Sequence, residues 1–594
     1  MKLSEKLGIK PGDSPTNSKV SQALRRAGVR KSPEFDRILA LPRRLFDASA
    51  YPDATPLYAR GPCGVAGCRY CATGGPVLRP LQSAMIIEAA QNNGLFANVG
   101  VGEGKTLASL LMHSAMNAKR TALLVPASCR DKTLNYDLPD LNRHYILPDV
   151  FGSEQAGSGR SGVYVVAYTD LSATDSSDLL DKINPDLIVA DEAHSLRHKD
   201  AARTRRFLRY MRKNPCAFVC MSGTLATRAV TDYAHLIELA LRKNSPVPVD
   251  YPTLMEWNDA IVNEDRKANG GEFGHTEPGV LVTFCNPGET IRSGFRRRQI
   301  DTAGVISTVE NSCGANLVIK ILRPKPPAVI SDALKELDRT WAWNGEEFSK
   351  AIDIARLNKE FIQGFFYELV WPGGVKDEAW IQARNGWNRA IRERLSRTNR
   401  EGEDSPALLE AMAEAGEWTP GEWFEWLKQR DKPEPGRRTI EKSRWLVAEV
   451  LTWIKQGPGI IWIDSPTVGE WIAEEGIPYF GAGTDAELLE FAARPDAGQH
   501  AIACSIQAHG TGKNLQAWSR NLVTYPPGSG AIWEQMIGRT HRSGQDADTV
   551  YVDLILASRG ADRAWESAKW DARFVRQTWG QNHRLLVATI EDCI

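Results

Sequence analysis

The sequence predicts an α/β protein with two parallel-sheet lobes, a mainly helical insertion between them and a small cysteine-containing N-terminal region. Three observations carry this prediction. Short β-branched runs separated by helical lengths fill two blocks, residues 76–240 and 438–594, an alternation that marks βαβ units. These runs are apolar throughout, as strands covered on both faces require. Between the blocks, residues 241–437 are charged and helix-forming, and nine of the eighteen tryptophans fall there. Lys plus Arg and Asp plus Glu each number 73 in 594 residues, with 42% apolar residues. That composition excludes a disordered or collagen-like chain. Zero net charge excludes a uniformly basic coat but allows basic stripes. No apolar run approaches the ~18 residues of a membrane span. No apolar core follows the first lysines, as a secretory signal would need. Ten sparse cysteines point to a reducing, cytoplasmic setting.

In chain order, residues 1–75 are polar and turn-rich. There GPCGVAGCRYCATGG sets Cys63, Cys68 and Cys71 at C-x₄-C-x₂-C among glycines. This spacing suits structural zinc and also occurs in iron–sulfur proteins. No fourth ligand is local; His113, Cys129 and His144 are distant candidates. The first block reads as strands at TALLVPA from 121, GVYVVAYT from 162, DLIVAD from 186 and AFVCMSGT from 217, with GSEQAGSGRSG from 152 as a flexible loop. KPEPGRR, from 432, reads as a linker. Strands then return at GIIWID from 459, AIACS from 501, NLVTY from 521 and VYVDLIL from 550. Cys216, Cys220 and Cys504 accompany strands and read as core.

Two motifs carry chemistry in the first block. FANVGVGEGKTLASLL, from 96, sets a glycine-rich turn before a helix. Gly102, Glu103, Gly104, Lys105 and Thr106 would cradle phosphates with backbone N–H groups, the helix dipole and the lysine. Val99 stands where the strict pattern has glycine. DLIVADEAH delivers Asp191 and Glu192 at a strand's carboxyl end, where open α/β sheets hold ligands. Thr106 and Asp191 would hold Mg²⁺, and Glu192 would orient the attacking water. His194 is placed to link this site to other parts.

Together these motifs resemble the superfamily-two helicases, and among them the Swi/Snf-type DNA translocases, including those carried by bacteriophages. LRPLQSAMI resembles the family's adenine-recognising segment, which makes Gln82 the adenine reader. LLVPAS resembles a backbone-gripping motif, and SGTLATR puts Ser222, Gly223 and Thr224 where the family couples hydrolysis to movement. HGTGKNLQ supplies Gly510, Thr511, Gly512, Asn514 and Gln516. EQMIGRTHRSGQ matches the last motif through Gln535, Gly538, Arg539, Arg542, Gly544 and Gln545. The resemblance spans about residues 76–240 and 438–560. It implies two RecA-like lobes that close on ATP and Mg²⁺ and move on nucleic acid, most directly duplex DNA. Serine opens the coupling motif where many members have threonine, and the 241–437 block does not match the usual protrusions.

Gln535, Arg539 and Arg542 stand at i, i+4 and i+7, so one helix is expected to present all three. Arg542, with Arg539 beside it, is the expected finger meeting charge on the transferred phosphoryl group. Phosphate contacts for nucleic acid are expected at Ser128, Arg130, Lys132, Tyr168 and Thr169, and at Thr511 and Lys513. Arg296, Arg297 and Arg298 form one basic run; Arg384, Arg389, Arg392, Arg394, Arg397 and Arg400 form another, equally readable as a solvated helix. Trp341, Trp343, Trp380 and Trp387 read as core more readily than as base-stacking platforms. Two rival functions stand beside the translocase. One is a strand-separating DNA or RNA helicase. The other is a nucleotide-regulated adaptor that docks a protein partner through the insertion or N-terminal region. An adaptor would not need Lys105, Glu192, Arg539 and Arg542 together.

Overall fold

The computed structural model describes residues 28–593 apart from 67, 69–70, 72–74, 101, 226–228, 263–275, 309–312, 345, 349 and 398–402. Arg400 of the second basic run lies outside the described residues. The first sheet comprises β1 (Gly94–Asn98), β2 (Arg120–Val125), β3 (Val150–Gly152), β4 (Gly162–Ala167), β5 (Leu187–Asp191), β6 (Ala217–Ser222) and β7 (Val305–Ser307). Their order is β3-β4-β2-β5-β6-β1-β7, and every pairing is parallel.

After β8 (Asn316–Leu322) come two small antiparallel pairs, β9 (Ala342–Trp343) with β10 (Glu346–Glu347) and β11 (Phe365–Val370) with β12 (Gly436–Glu441). Then follow β13 (Ile460–Ile463), β14 (Tyr479–Phe480), β15 (Ile502–Ser505), β16 (Arg520–Val523), β17 (Thr549–Ile555) and β18 (Thr589–Cys593). The second sheet has the order β14-β15-β13-β16-β17-β8-β18, again parallel. The chain is thus α/β with two seven-stranded parallel sheets and many helices. Each sheet is buried on both faces. Phe96, Leu124 and Ile188 pack on one side of the first, and Leu95, Leu123 and Val189 on the other.

The structure redraws the boundaries expected from sequence texture. β7 and β8 both lie within 241–437, yet one completes the first sheet and the other enters the second. β7 is three residues long, and Lys320 interrupts the apolar run of β8, so neither stands out as a core strand. Helices Tyr251–Val262 and Ile291–Ile300 insert Trp257 and Phe295 into the first core. A separate core forms where helices Glu378–Arg397, Pro406–Glu414 and Gly421–Leu427 bury Trp380, Trp387, Trp423 and Trp426. The last three of the seven expected linker residues from 432 belong to β12. The N-terminal region is not a free-standing unit either: Phe35 and Ile38 belong to the first core.

The last long helix, Arg559–Trp579, ties the lobes together. Trp565 packs in the second core, whereas Phe574, Val575 and Trp579 pack in the first. Among the described residues, no helix is long and apolar enough to cross a membrane.

Candidate functional site between the lobes

Register brings the chemistry-bearing segments of the first sheet to one edge. Asn98 at the end of β1 pairs with Ser222 at the end of β6, and Asp191 at the end of β5 pairs with Met221. From these carboxyl ends emerge the glycine loop, the Asp191–Glu192 pair and the Ser222–Thr224 segment. The glycine loop needs its glycines: Gly102 and Gly104 sit at φ 97° and 77°, a region that side chains disfavour. Helix Lys105–Ala115 follows at once, so its unpaired N–H groups face the loop. Lys105 Nζ donates to the Val99 and Gly100 carbonyls at 3.1 and 2.9 Å and lies 3.9 Å from Glu192 Oε1.

Glu192 has left-handed backbone, φ 55° and ψ 49°, a conformation costing ~1–2 kcal/mol for an L-residue. Such strain persists where surrounding contacts fix it. Here the carboxylate accepts from Ser222 Oγ at 3.0 Å, with His194 Nδ1 at 3.4 Å. His194 Nδ1 is also 3.1 Å from Ser222 Oγ and 3.3 Å from Thr224 Oγ1. From the second lobe Gln535 Nε2 donates to Thr224 Oγ1 at 3.3 Å and lies 3.5 Å from His194 Nε2. A continuous polar chain therefore joins Glu192 to the other lobe.

The second lobe closes over this edge. Helix Gly530–Ile537 carries Gln535 but ends at Gly538. Arg539 and Arg542 therefore come from the turn after it rather than from one continuous helix. Arg539 donates from Nε to the Gln535 carbonyl at 2.8 Å and from Nη1 to the Lys513 carbonyl at 3.1 Å. Arg542 Nη1 donates to Asn514 Oδ1 at 2.6 Å, while its buried Nε has no hydrogen-bond partner among the described residues. Gly102 approaches so closely that a methyl group on it would touch Arg542 Cβ at 3.9 Å. Gly512, at φ 76°, faces Cys129 of the first lobe; a methyl group there would stand 2.5 Å from Cys129 Sγ. Lys105, the glycine loop and the two arginines thus come together where the lobes meet.

Burial and neighbouring charges shift the titration of several of these groups. Burial, and then the Arg542 charge, lower Arg539 to about 10. Burial and Arg584 also lower Arg542. Among the carboxylates, burial pushes Asp191 up to about 6, with the Glu192 charge adding to the rise. Burial opposes ionisation of Glu192 too, but Lys105, His194 and Ser222 overcome it and hold the carboxyl down at about 2. One carboxylate, Glu192, is thus held ionised beside Arg539, on which its charge acts in return.

A cavity of about 600 Å³ opens beside the loop, lined by Phe46, Arg79, Pro80, Leu81, Glu103 and Thr308. Gln82 borders it. Its Nε2 donates to the Gly104 carbonyl at 3.0 Å, and its Oε1 accepts from Arg79 N at 2.8 Å. Arg79 was not legible as a site residue; it donates to the Gly102 carbonyl at 3.2 Å and lies 3.6 Å from Glu103.

Several expected nucleic-acid contacts are placed otherwise. Lys513 is fully buried and paired with Asp485. Tyr168 is buried, its hydroxyl donating to the Asp191 carbonyl at 2.9 Å. Arg130 pairs with Glu154 at 2.5 Å and Lys132 with Asp137 at 2.7 Å. Thr169 is exposed, and Ser128 and Thr511 are half-buried. The 296–298 run is engaged within the protein. Arg298 is buried and donates to the Leu41 carbonyl, Arg297 pairs with Glu289, and Arg296 donates to the Arg576 carbonyl. In the second run Arg384 and Arg394 pair with Glu434 and Glu403, while Arg389, Arg392 and Arg397 are exposed. Trp343, Trp380 and Trp387 pack against aromatic neighbours, and only Trp341 of those four is exposed.

A basic groove was not anticipated. A cavity of about 1110 Å³ at the carboxyl ends of β16 and β17 is lined by Arg339, Arg356, Lys359, Arg559 and Arg563. The four arginines are exposed. They come from three separate stretches of chain, so no local run announces them.

The three clustered cysteines meet a fourth group. Cys63, Cys68, Cys71 and His144 have ligand atoms all within 4.8 Å of one another and could hold a metal ion. Of the distant candidates, His113 instead contacts Thr121, and Cys129 faces the cleft. No protein-family model matches the chain, and no curated protein matches it in sequence.

Proposed function

We propose that this chain is an ATP-hydrolysing nucleic-acid motor of the Swi/Snf type, acting on duplex DNA. The observation that carries the reading is convergence. Lys105 and Glu192 come from the first lobe, Arg539 and Arg542 from the second; Lys105 lies beside Glu192, the Glu192 charge acts on Arg539, and the glycine loop meets Arg542. The unpartnered Arg542 Nε and the neighbouring guanidinium groups fit a triphosphate.

In this reading the adenine enters the cavity beside Phe46 and Arg79, and the triphosphate lies along the glycine loop. Lys105 turns from the loop carbonyls to the β and γ phosphates. Glu192, held ionised, orients the attacking water. The Thr106 hydroxyl and the Asp191 carboxylate are the hard oxygen donors that Mg²⁺ takes; burial and the Glu192 charge raise Asp191 despite Lys105 and Lys132, and a bound cation would relieve that pressure. Bound there, Mg²⁺ supplies neutralisation of phosphate charge. Arg539 and Arg542 meet the charge that develops on the transferred group. The chain Glu192–His194–Gln535 then makes hydrolysis sensitive to lobe position, the two-state element a motor needs.

The groove of Arg339, Arg356, Arg559 and Arg563 supplies a phosphate-holding surface without base readout. The test is ATP hydrolysis by the full chain with duplex DNA, single-stranded DNA, RNA or no nucleic acid. Duplex DNA is expected to stimulate most; equal rates in all four would contradict the motor. Triplex displacement without strand separation is the further expectation, and efficient unwinding would favour a helicase.

A further inference from the structure

We infer that Cys63, Cys68, Cys71 and His144 bind one zinc ion in a closed structural site that staples the N-terminal region to the first lobe. This inference is independent of the motor reading. Cys68 Sγ lies 3.1 Å from His144 Nε2, and Cys71 Sγ lies 3.5 Å from Cys63 Sγ. A zinc tetrahedron with bonds of ~2.0–2.3 Å separates its ligand atoms by about 3.5–3.8 Å. The sulfurs are too far apart for a disulfide, which needs ~2.05 Å. They are too close together to surround the several metal atoms of an iron–sulfur cluster. Three thiols and one imidazole complete a tetrahedron and leave no open position, the mark of a structural rather than a catalytic zinc.

The histidine is held for ligation. His144 Nδ1 donates to the Asp140 carbonyl at 2.9 Å, which leaves the Nε2 lone pair facing the sulfurs. Such an outer hydrogen bond fixes the tautomer a metal needs. His144 ends helix Leu138–His144 of the first lobe, 76 positions beyond Cys68.

The cluster sits where two distant stretches of chain meet. Ala59 bridges Tyr145, Arg60 N donates to the His144 carbonyl at 2.7 Å, and Tyr145 OH donates to the Val77 carbonyl at 3.3 Å. The same N-terminal stretch runs on through Leu78 to Arg79 and Gln82. Zinc would therefore fix the segment that lines the cavity beside the glycine loop.

The experiment is metal analysis of the full chain purified from zinc-supplemented growth, with variants Cys68→Ser, His144→Ala and His144→Cys. Wild type is expected to carry one zinc per chain. Cys68→Ser and His144→Ala should retain at least ~fivefold less, because ligand loss weakens the site directly. His144→Cys, which restores a fourth ligand, should keep the metal. Cobalt added to chelator-stripped wild type should give intense thiolate-to-cobalt absorption, a readout that needs no variant to fold. Folded wild type without zinc and without that absorption would overturn the inference. So would undiminished zinc in both ligand-deleting variants, or iron with acid-labile sulfide in place of zinc.

Discussion

Replacing Arg542 by alanine separates a catalytic arginine from a structural one. The side chain's contacts are few: Nη1 donates to Asn514 at 2.6 Å and to the Lys513 carbonyl at 3.4 Å, and Nε is unpartnered. Losing these two bonds costs roughly 1–3 kcal/mol. Against that loss, the like charges of Arg584 and Arg79 no longer face a third guanidinium, although the attraction to Asp137 goes as well. The charge effects partly cancel, so the loss should stay within about 1–3 kcal/mol, a shift of a few degrees in a chain of this size. Catalysis should respond far more. An arginine finger supplies ~10³–10⁵ in rate, about 4–7 kcal/mol of barrier. Steady-state hydrolysis with saturating duplex DNA should therefore fall at least ~10³-fold, while binding of a fluorescent ATP analogue and the melting temperature stay close to wild type. Arg542→Lys should recover little, since an ammonium cannot present paired planar donors. A rate within tenfold of wild type, or a loss of activity matched by a loss of folding, would refute the reasoning.

Other perturbations have equally definite outcomes. Glu192→Gln should bind ATP normally and lose turnover, read from nucleotide binding beside single-turnover hydrolysis; near-normal turnover would free Glu192 from its role. Gly512→Ala meets Cys129 Sγ at 2.5 Å and forces a side chain to φ 76°, so small-angle scattering should detect a more open chain, and hydrolysis should drop while each lobe stays folded. Asp404→Ala leaves Arg206 and Arg209 without their buried partner; chemical denaturation should register about 3–5 kcal/mol of lost stability. Burial, partly offset by the hydrogen bond to Leu196, pushes His235 down to about 4 from its ordinary 6.5. The unfolded chain then takes up the proton first as pH falls. Stability is therefore full above pH 6.5, declines between 6.5 and 4, and levels below. Melting of wild type against His235→Gln across that range should show a slope in the first that is missing from the second.

What was legible in the sequence was what local chemistry writes into it. Runs such as TALLVPA and DLIVAD became β2 and β5 because only strands buried on both faces tolerate unbroken apolar residues. The glycine loop and the acidic pair were legible as local motifs, and register brings both to one edge of the first sheet. Non-local partners were not legible. Lys513 looked like a free cation until folding brought Asp485, 28 positions upstream, against it. His144 was one of three distant candidates, and what singles it out is non-local: Ala59 bridges Tyr145 and Arg60 N donates to the His144 carbonyl. The basic groove draws its arginines from helices Ala328–Thr340, Ala351–Ile362 and Arg559–Trp579. The arginine turn was misread as helix because i, i+4 and i+7 spacing ignores that Gly538 closes the helix first. β8 escaped notice because Lys320 sits amid its apolar residues.

The claim on which the account rests is that one triphosphate is held from both sides. A crystal structure of the full chain with Mg²⁺ and a non-hydrolysable ATP analogue tests it directly. The account predicts the γ-phosphate between Lys105 and the guanidinium groups of Arg539 and Arg542, the metal on Thr106 and Asp191, and the base beside Phe46 and Arg79. A nucleotide held by one lobe alone with the arginines turned away, or one bound outside this cleft, would contradict it.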